Sequence, residues 1–325
     1  MMRTISILLL LAIAAALAAA GSKPPATDTA APPVPPPGQA APGAAGAKLP
    51  AIAVMTLEHA SGKPDDEWMG IGFAETITGK LARLRNIRVV ERRQIERVMR
   101  EIALSQTGAV DAAVAVRAGK LLAANYLLVG SVQKLEARRP MLKVNARVIK
   151  TESGEVLETV GDQGPYDDIF ELQDRLAIKV AEALSLPVSL AEKQDIRRSE
   201  TSSRGAYEFF YMAKAAPGMD HKEELYRKAV GLDPNYVNAL ANLASVLMVK
   251  NLSCPEPDFS EAKQLALKAL ALDSLIAESH WILGSIYRRE GRKQDAIREL
   301  EKHLKLDPET QYKGLIESQL EKLRK

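Results

Sequence analysis

Cysteine is almost missing from this chain. Cys254 stands alone among 325 residues, so no intramolecular disulfide forms and neither a Cys₄ nor a Cys₂His₂ zinc site can be assembled. The four histidines, His59, His221, His280 and His303, are scattered, with no two at a short helical spacing that would place both rings on one metal. These shortages argue against a metalloenzyme and a cysteine hydrolase. Nor does charge of one sign dominate. Lys+Arg (44) against Asp+Glu (41) leave a net charge of +3, too small an excess to displace counterions from nucleic acid, and no nucleic-acid partner is expected. Neither G-x-S-x-G nor H-E-x-x-H occurs. The protein is expected to be no enzyme and to use no cofactor or metal.

Long hydrophobic runs are missing as well. Ile5 to Ala20 is apolar apart from Ser6, but at roughly 16 residues it falls short of the ~20 that span a bilayer. With Arg3 before it and Ala18-Ala19-Ala20 ahead of Gly21, it reads as an export signal over 1–21. A lipoprotein signal needs cysteine where Gly21 stands, so no diacylglycerol anchor is expected there. The expected location is the periplasm, peripheral to the outer membrane. Membrane contact is then peripheral, or through the signal segment if it is retained. Residues 22–48, including Pro32-Pro33-Val34-Pro35-Pro36-Pro37, bury too little to fold and read as a Pro/Ala-rich spacer.

What the chain does contain is globular: 46% hydrophobic and 26% charged residues, enough for two domains plus a tail. Over 49–188, periodicity gives a buried strand at Ala51 to Leu57 and a helix from Trp68 to Leu84 with Phe73, Ile77 and Leu81 on one stripe. A short strand at Ile87 to Val90, a helix from Arg92 to Leu104 and a third from Ala112 to Leu122 follow. Strands start at Tyr126, Met141 and Glu155, and a helix runs from Ile169 to Leu184. The order βαβααβββα predicts an α/β sandwich of the α+β class ending in an antiparallel meander.

Three features of this domain imitate chemistry. Gly70-Ile71-Gly72 with Glu91 downstream imitates a dinucleotide fingerprint. The glycines, however, lie about a dozen residues past the strand, and Glu75 would repel a pyrophosphate at a helix N-terminus. The cations Lys80, Arg83, Arg85, Arg88, Arg92, Arg93, Arg97 and Arg100 suggest a solvated helix face, with Glu96 four residues from Arg92 and Arg100. The acids Asp65, Asp66 and Glu67 suit a loop leading into a helix N-terminus.

Several blocks of this domain, in order, resemble the CsgG-type curli assembly/transport family. They are Glu91-Arg92-Arg93-Gln94-Ile95, Thr107-Gly108-Ala109-Val110-Asp111, the run from Ala118 to Val132, and Thr151-Glu152-Ser153-Gly154-Glu155. Ile52-Ala53-Val54 and Glu67 to Phe73 also resemble the N-terminal domains of TolB-like and FlgO-like envelope proteins. The resemblance covers 50–186. It implies a periplasmic fold with a tendency to self-associate. It does not carry pore formation: about eight residues separate Val132 from Met141, and barrel hairpins need strands of roughly 9–11 residues.

Residues 189–204 read as a partly helical inter-domain linker, and 205–325 repeat. Asp233-Pro234, Asp273-Ser274 and Asp307-Pro308 punctuate the region at about 40 and 34 residues, and Leu283-Gly284, Tyr287, Gly291 and Ala296 fall on the tetratricopeptide pattern. An all-α tetratricopeptide solenoid with a capping helix at Tyr312 to Leu323 is expected. By register, Asn238, Asn242, Ser245, Trp281, Ser285, Arg288 and Arg289 project into its concave groove, where Asn and Arg suit a peptide backbone or carboxylate. A plainer role for Trp281 is packing against a neighbouring repeat. The expected function is a non-enzymatic periplasmic adaptor whose repeats hold an envelope or secreted protein. The alternative is a homo-oligomeric component of an outer-membrane secretion or assembly system, self-associating through the CsgG-like domain and lacking a barrel of its own.

Overall fold

The computed structural model describes residues 49–325 except 61–62, 64–65, 104–111, 253 and 311. The export signal, the Pro/Ala-rich spacer, Asp65 and the Thr107 to Asp111 block lie outside the described residues.

A six-stranded sheet organises the first half. Strand β1 (Ala51–Val54) is apolar and buried throughout, as a parallel strand covered on both faces must be. It lies between β3 (Arg88–Val89) and β4 (Tyr126–Leu135), parallel to both. Strands β4, β5 (Met141–Lys150) and β6 (Val156–Pro165) form the antiparallel meander. The sheet order is β3-β1-β4-β5-β6. A two-residue strand absent from the expected order, β2 (Glu58–His59), pairs with β4 alongside Ser131 and Val132. Strand β5 shows the alternation that places it: Leu142, Val144, Ala146 and Val148 are buried, while Lys143, Asn145 and Arg147 are exposed.

Helices α1 (Trp68–Leu81) and α4 (Ile169–Ala183), the latter entered through a single 3₁₀ turn at Tyr166–Asp168, cover one face. Phe73, Ile77, Leu81, Leu172, Leu176 and Val180 fill that layer with the inward residues of β4 and β5. On the other face α2 (Arg92–Ala103) and α3 (Ala112–Leu121) cover only the β1 end. Ile95, Val98 and Leu122 pack there on Ala53, Met55, Leu127 and Ile149. Beyond them the β4–β5–β6 surface has no helix of its own among the described residues.

The stretch expected as a linker is docked against the first half. Helix α5 (Leu190–Ile196) starts at a Ser189/Glu192 capping box and ends with Ile196 fully buried. Lys80 Nζ, on α1, reaches Asp174 Oδ1 at 2.5 Å and the Ile196 carbonyl at 2.7 Å. Arg83 donates to the carbonyls of Asp195 and Arg198.

Three helix pairs follow: α6 (Arg204–Ala215) with α7 (Met219–Leu232), α8 (Val237–Asn251) with α9 (Ser260–Leu272), and α10 (Ala277–Arg289) with α11 (Lys293–Leu306). Helix α12 (Lys313–Arg324) covers the last pair. Gly284 lets the third pair close, since a Cβ there would lie 2.7 Å from Leu300 Cγ. Replacing Gly284 with Leu is expected to destabilise the repeats by about 1–3 kcal/mol through overpacking, read as a lowered urea midpoint.

Candidate functional site

The candidate site is the face made by the first helix of each pair, and the α/β domain occupies its beginning. Helix α6 lies on α1. Tyr207 accepts from Gln173 Nε2 at 2.7 Å, shares a hydrogen bond with Thr76 Oγ1 at 2.9 Å, and meets Trp68 and Phe170 edge-on. Burial pushes its hydroxyl pKa up, so it stays neutral. Lys214 pairs with Glu75 at 2.5 Å.

The glycine pair that imitated a nucleotide fingerprint makes these approaches feasible. A Cβ on Gly70 would strike the Leu57 carbonyl. One on Gly72 would lie 2.9 Å from the Tyr207 hydroxyl and 3.2 Å from Tyr211 Cγ. Part of the basic run is paired instead of forming a solvated face: Lys80 and Arg83 hold α4, α5 and the stretch after it, and Arg93 on α2 reaches Asp307 at the end of α11 at 2.5 Å. The expected Arg92–Glu96 pair is present at 3.2 Å. Of the acidic set, Asp66 is buried with Lys134 Nζ at 3.9 Å and His59 Nε2 at 4.0 Å, while Glu67 is exposed at the start of α1.

Helices α8 and α10 carry the residues assigned by register, and they are in different states. Asn242 donates to the Asn238 carbonyl at 2.8 Å and faces the Tyr226 hydroxyl at 3.4 Å. Ser245 donates to Glu278 at 2.9 Å, tying α8 to α10. Trp281 is 6% exposed and stacked on Tyr312 at 4.5 Å with 5° between the rings. Its ring is taken up inside the stack, and Ser285 is also buried. Asn238 is half-buried.

Arg288 and Arg289 differ from the cations around them. Arg227, Lys250, Lys263, Arg292 and Arg298 all hold carboxylates. Neither Arg288 nor Arg289 has an ion pair among the described residues; Arg289 lies 5.5 Å over the Phe259 ring. Arg288 is half-buried, and its Nε is buried without a hydrogen-bond partner. Burial, then the adjacent Arg289 charge, pushes its pKa below the usual arginine range. Helix α10 therefore ends in two neighbouring arginines, one of them half-buried, with no carboxylate partner for either among the described residues.

Sequence reasoning did not anticipate the junction on α1. Its one available signal was the aromatic cluster Tyr207, Phe209, Phe210 and Tyr211 at the start of the repeats, too apolar for an outward-facing first helix. Among the described residues no group of three or more His, Cys, Asp or Glu side chains is placed to hold a metal, and no helix is long and apolar enough to cross a membrane.

This arrangement defines a class: a mixed α/β domain carrying a helical repeat stack. Residues 47–141 match the family described as "Curli production assembly/transport component CsgG", and residues 277–310 match the tetratricopeptide repeat. The chain thus contains a CsgG-family domain followed by a tetratricopeptide repeat region. A curated relative, "Putative adenylate cyclase 3" of Rhizobium meliloti (strain 1021), is 23% identical over 256 residues, 72% of this chain and 39% of the relative. The chain thus spans about two fifths of that protein's length. Solved structures with local similarity include the LpoB C-terminal domain from Escherichia coli, at 16% identity, with TM-score 0.29, covering 36% of this chain and 82% of that one. The PelC dodecamer from Paraburkholderia phytofirmans matches at 15% identity, TM-score 0.27, covering 43% of this chain and 89% of that one. Lipoprotein GNA1162 from Neisseria meningitidis matches at 14% identity, TM-score 0.31, covering 43% and 99%.

Proposed function

We propose that the protein is a non-enzymatic adaptor of the periplasm or cell envelope, working in the assembly or secretion of an envelope complex. Its repeats recruit a protein partner through an acidic or carboxylate-bearing segment. The observation that carries this is the Arg288–Arg289 couple on α10, which has no ion pair among the described residues. A half-buried guanidinium beside a like charge is poorly solvated, and a carboxylate offers it two charge-assisted hydrogen bonds. Asn238 on α8 lies on the same register face and suits a peptide backbone.

The CsgG-family domain supplies the second attachment, by docking or by self-association. The outer edge of β6, which among the described residues pairs only with β5, supports this. Two modest interfaces on one chain then raise local concentration without chemistry.

Fluorescence anisotropy with a fluorescein-labelled hexaglutamate peptide tests the groove. The full chain is expected to give saturable binding that weakens with salt. The Arg288→Glu/Arg289→Glu variant should bind at least ~10-fold more weakly, with Arg324→Glu as a control that leaves binding unchanged. Equal binding by the Arg288/Arg289 variant would overturn the assignment.

A further inference from the structure

A second concave site lies on the α/β domain, away from the repeat groove. On the sheet face opposite α1 and α4, a cleft of about 750 Å³ opens where α2 and α3 stop. That volume is typical of sites for small organic ligands.

Its polarity changes from one end to the other. At the β1 end the lining is Met55, Ile95, Met99 and Val129. Two thioethers make that end adaptable to a flexible apolar chain. Across the strands the register sets a row: Val129 lies opposite Arg147, and Arg147 opposite Thr159. From Met55 across to Arg147 is about two strand spacings, roughly 10 Å.

The Arg147 side chain is exposed and makes no ion pair among the described residues. Arg92, on the helix wall, uses Nε on Glu96 and Nη2 on Thr56, which leaves Nη1 buried without a partner. Glu96 is thereby engaged, and Glu58 stands exposed at the rim. The cleft thus offers an apolar pocket at one end and guanidinium donors beside it.

We propose that this cleft binds a single-chain anionic amphiphile of the acyl-carboxylate class. The chain lies over Met55, Met99 and Val129, and the carboxylate meets Arg147, with Arg92 as the second cation. An occupant without a tail leaves the apolar end wet. One with a cationic head meets two guanidinium groups.

Isothermal titration of the full chain with decanoate, below its micelle concentration and at low salt, tests this. Saturable one-site binding is expected. Acetate, which lacks the tail, should give none, and decyltrimethylammonium, which reverses the head charge, should bind at least ~10-fold more weakly. Arg147→Gln is expected to weaken decanoate binding by a similar factor. Because Arg147 is exposed, that variant should fold, which an unchanged thermal midpoint checks. Arg97→Gln, at an exposed position on α2 outside the cleft lining, should bind like the parent protein. No saturable binding of decanoate would overturn the proposal. So would equal binding of the cationic amphiphile, or an unchanged affinity in Arg147→Gln.

Discussion

Replacing Lys80 with Met is expected to cost the fold about 3–5 kcal/mol. Lys80 sits on α1 with 3% of its side chain exposed, and its ammonium group is the shared partner of Asp174 on α4 and the Ile196 carbonyl at the end of α5. Methionine fills most of the volume but leaves a largely buried carboxylate and a buried carbonyl unmatched. The loss is one of pairing and not of packing, and a second substitution shows it. Lys80→Met combined with Asp174→Leu should recover most of the lost stability, because a buried ion pair can be exchanged for apolar contacts at little cost. Urea unfolding of the single and double variants checks both statements. A double variant as unstable as Lys80→Met would show that the damage was steric.

Removing the Tyr211 ring should be comparably damaging, at about 3–5 kcal/mol for Tyr211→Ala. The ring is 1% exposed, lies 4.7 Å from Tyr207 and 4.9 Å from Phe210, and packs against Gly72 of α1. It therefore belongs to the α/β domain and the repeats at once. One cluster of buried side chains runs from Phe73 and Leu176 through Tyr207 and Tyr236 to Trp281 and Leu320. A shared core should unfold as one unit. The chain has two tryptophans, Trp68 in α1 and Trp281 in α10, so each half carries its own reporter. Urea curves of Trp68→Phe and Trp281→Phe should each show a single transition, and adding Tyr211→Ala should move both to lower urea together. A shift seen only by Trp281 would mean that the halves fold independently.

The strands and helices of the first half were legible because burial leaves a period. The alternation in β5 and the 3.6-residue stripe of Phe73, Ile77 and Leu81 in α1 are both signatures of one covered face. Boundaries moved where pairing outlasted the pattern. Strand β6 continues through Gly161 to Pro165, past the strand expected over Glu155 to Val160, because β5 stays opposite them and Arg175 and Lys179 hold Asp162 at 2.9 and 3.2 Å.

The junction was not legible. Lys80, Arg83 and Arg93 look like any exposed basic run until α5 and the end of α11 are brought against them, and that placement depends on tertiary contacts more than a hundred residues apart. Gly70 and Gly72 carried a real signal of close approach, but sequence could not say that the approaching groups were a carbonyl and two tyrosines. At the candidate site, register pointed to Arg288 and Arg289 on α10 without revealing that, among the described residues, they lack the carboxylates their neighbours have. Register also could not foresee that Trp281 would be stacked on Tyr312, because Tyr312 lies beyond the last repeat.

Site-specific photocrosslinking in cells tests the adaptor account most directly. A photoreactive residue placed at Asn238, half-buried on α8, would be activated in the parent protein and in the Arg288→Glu/Arg289→Glu variant, and the adducts identified by mass. The account predicts an adduct with a distinct envelope protein bearing an acidic or C-terminal carboxylate segment at the crosslink, lost on charge reversal. Ladders of the chain crosslinked only to itself, unchanged by the reversal, would contradict it and point to a homo-oligomeric assembly component.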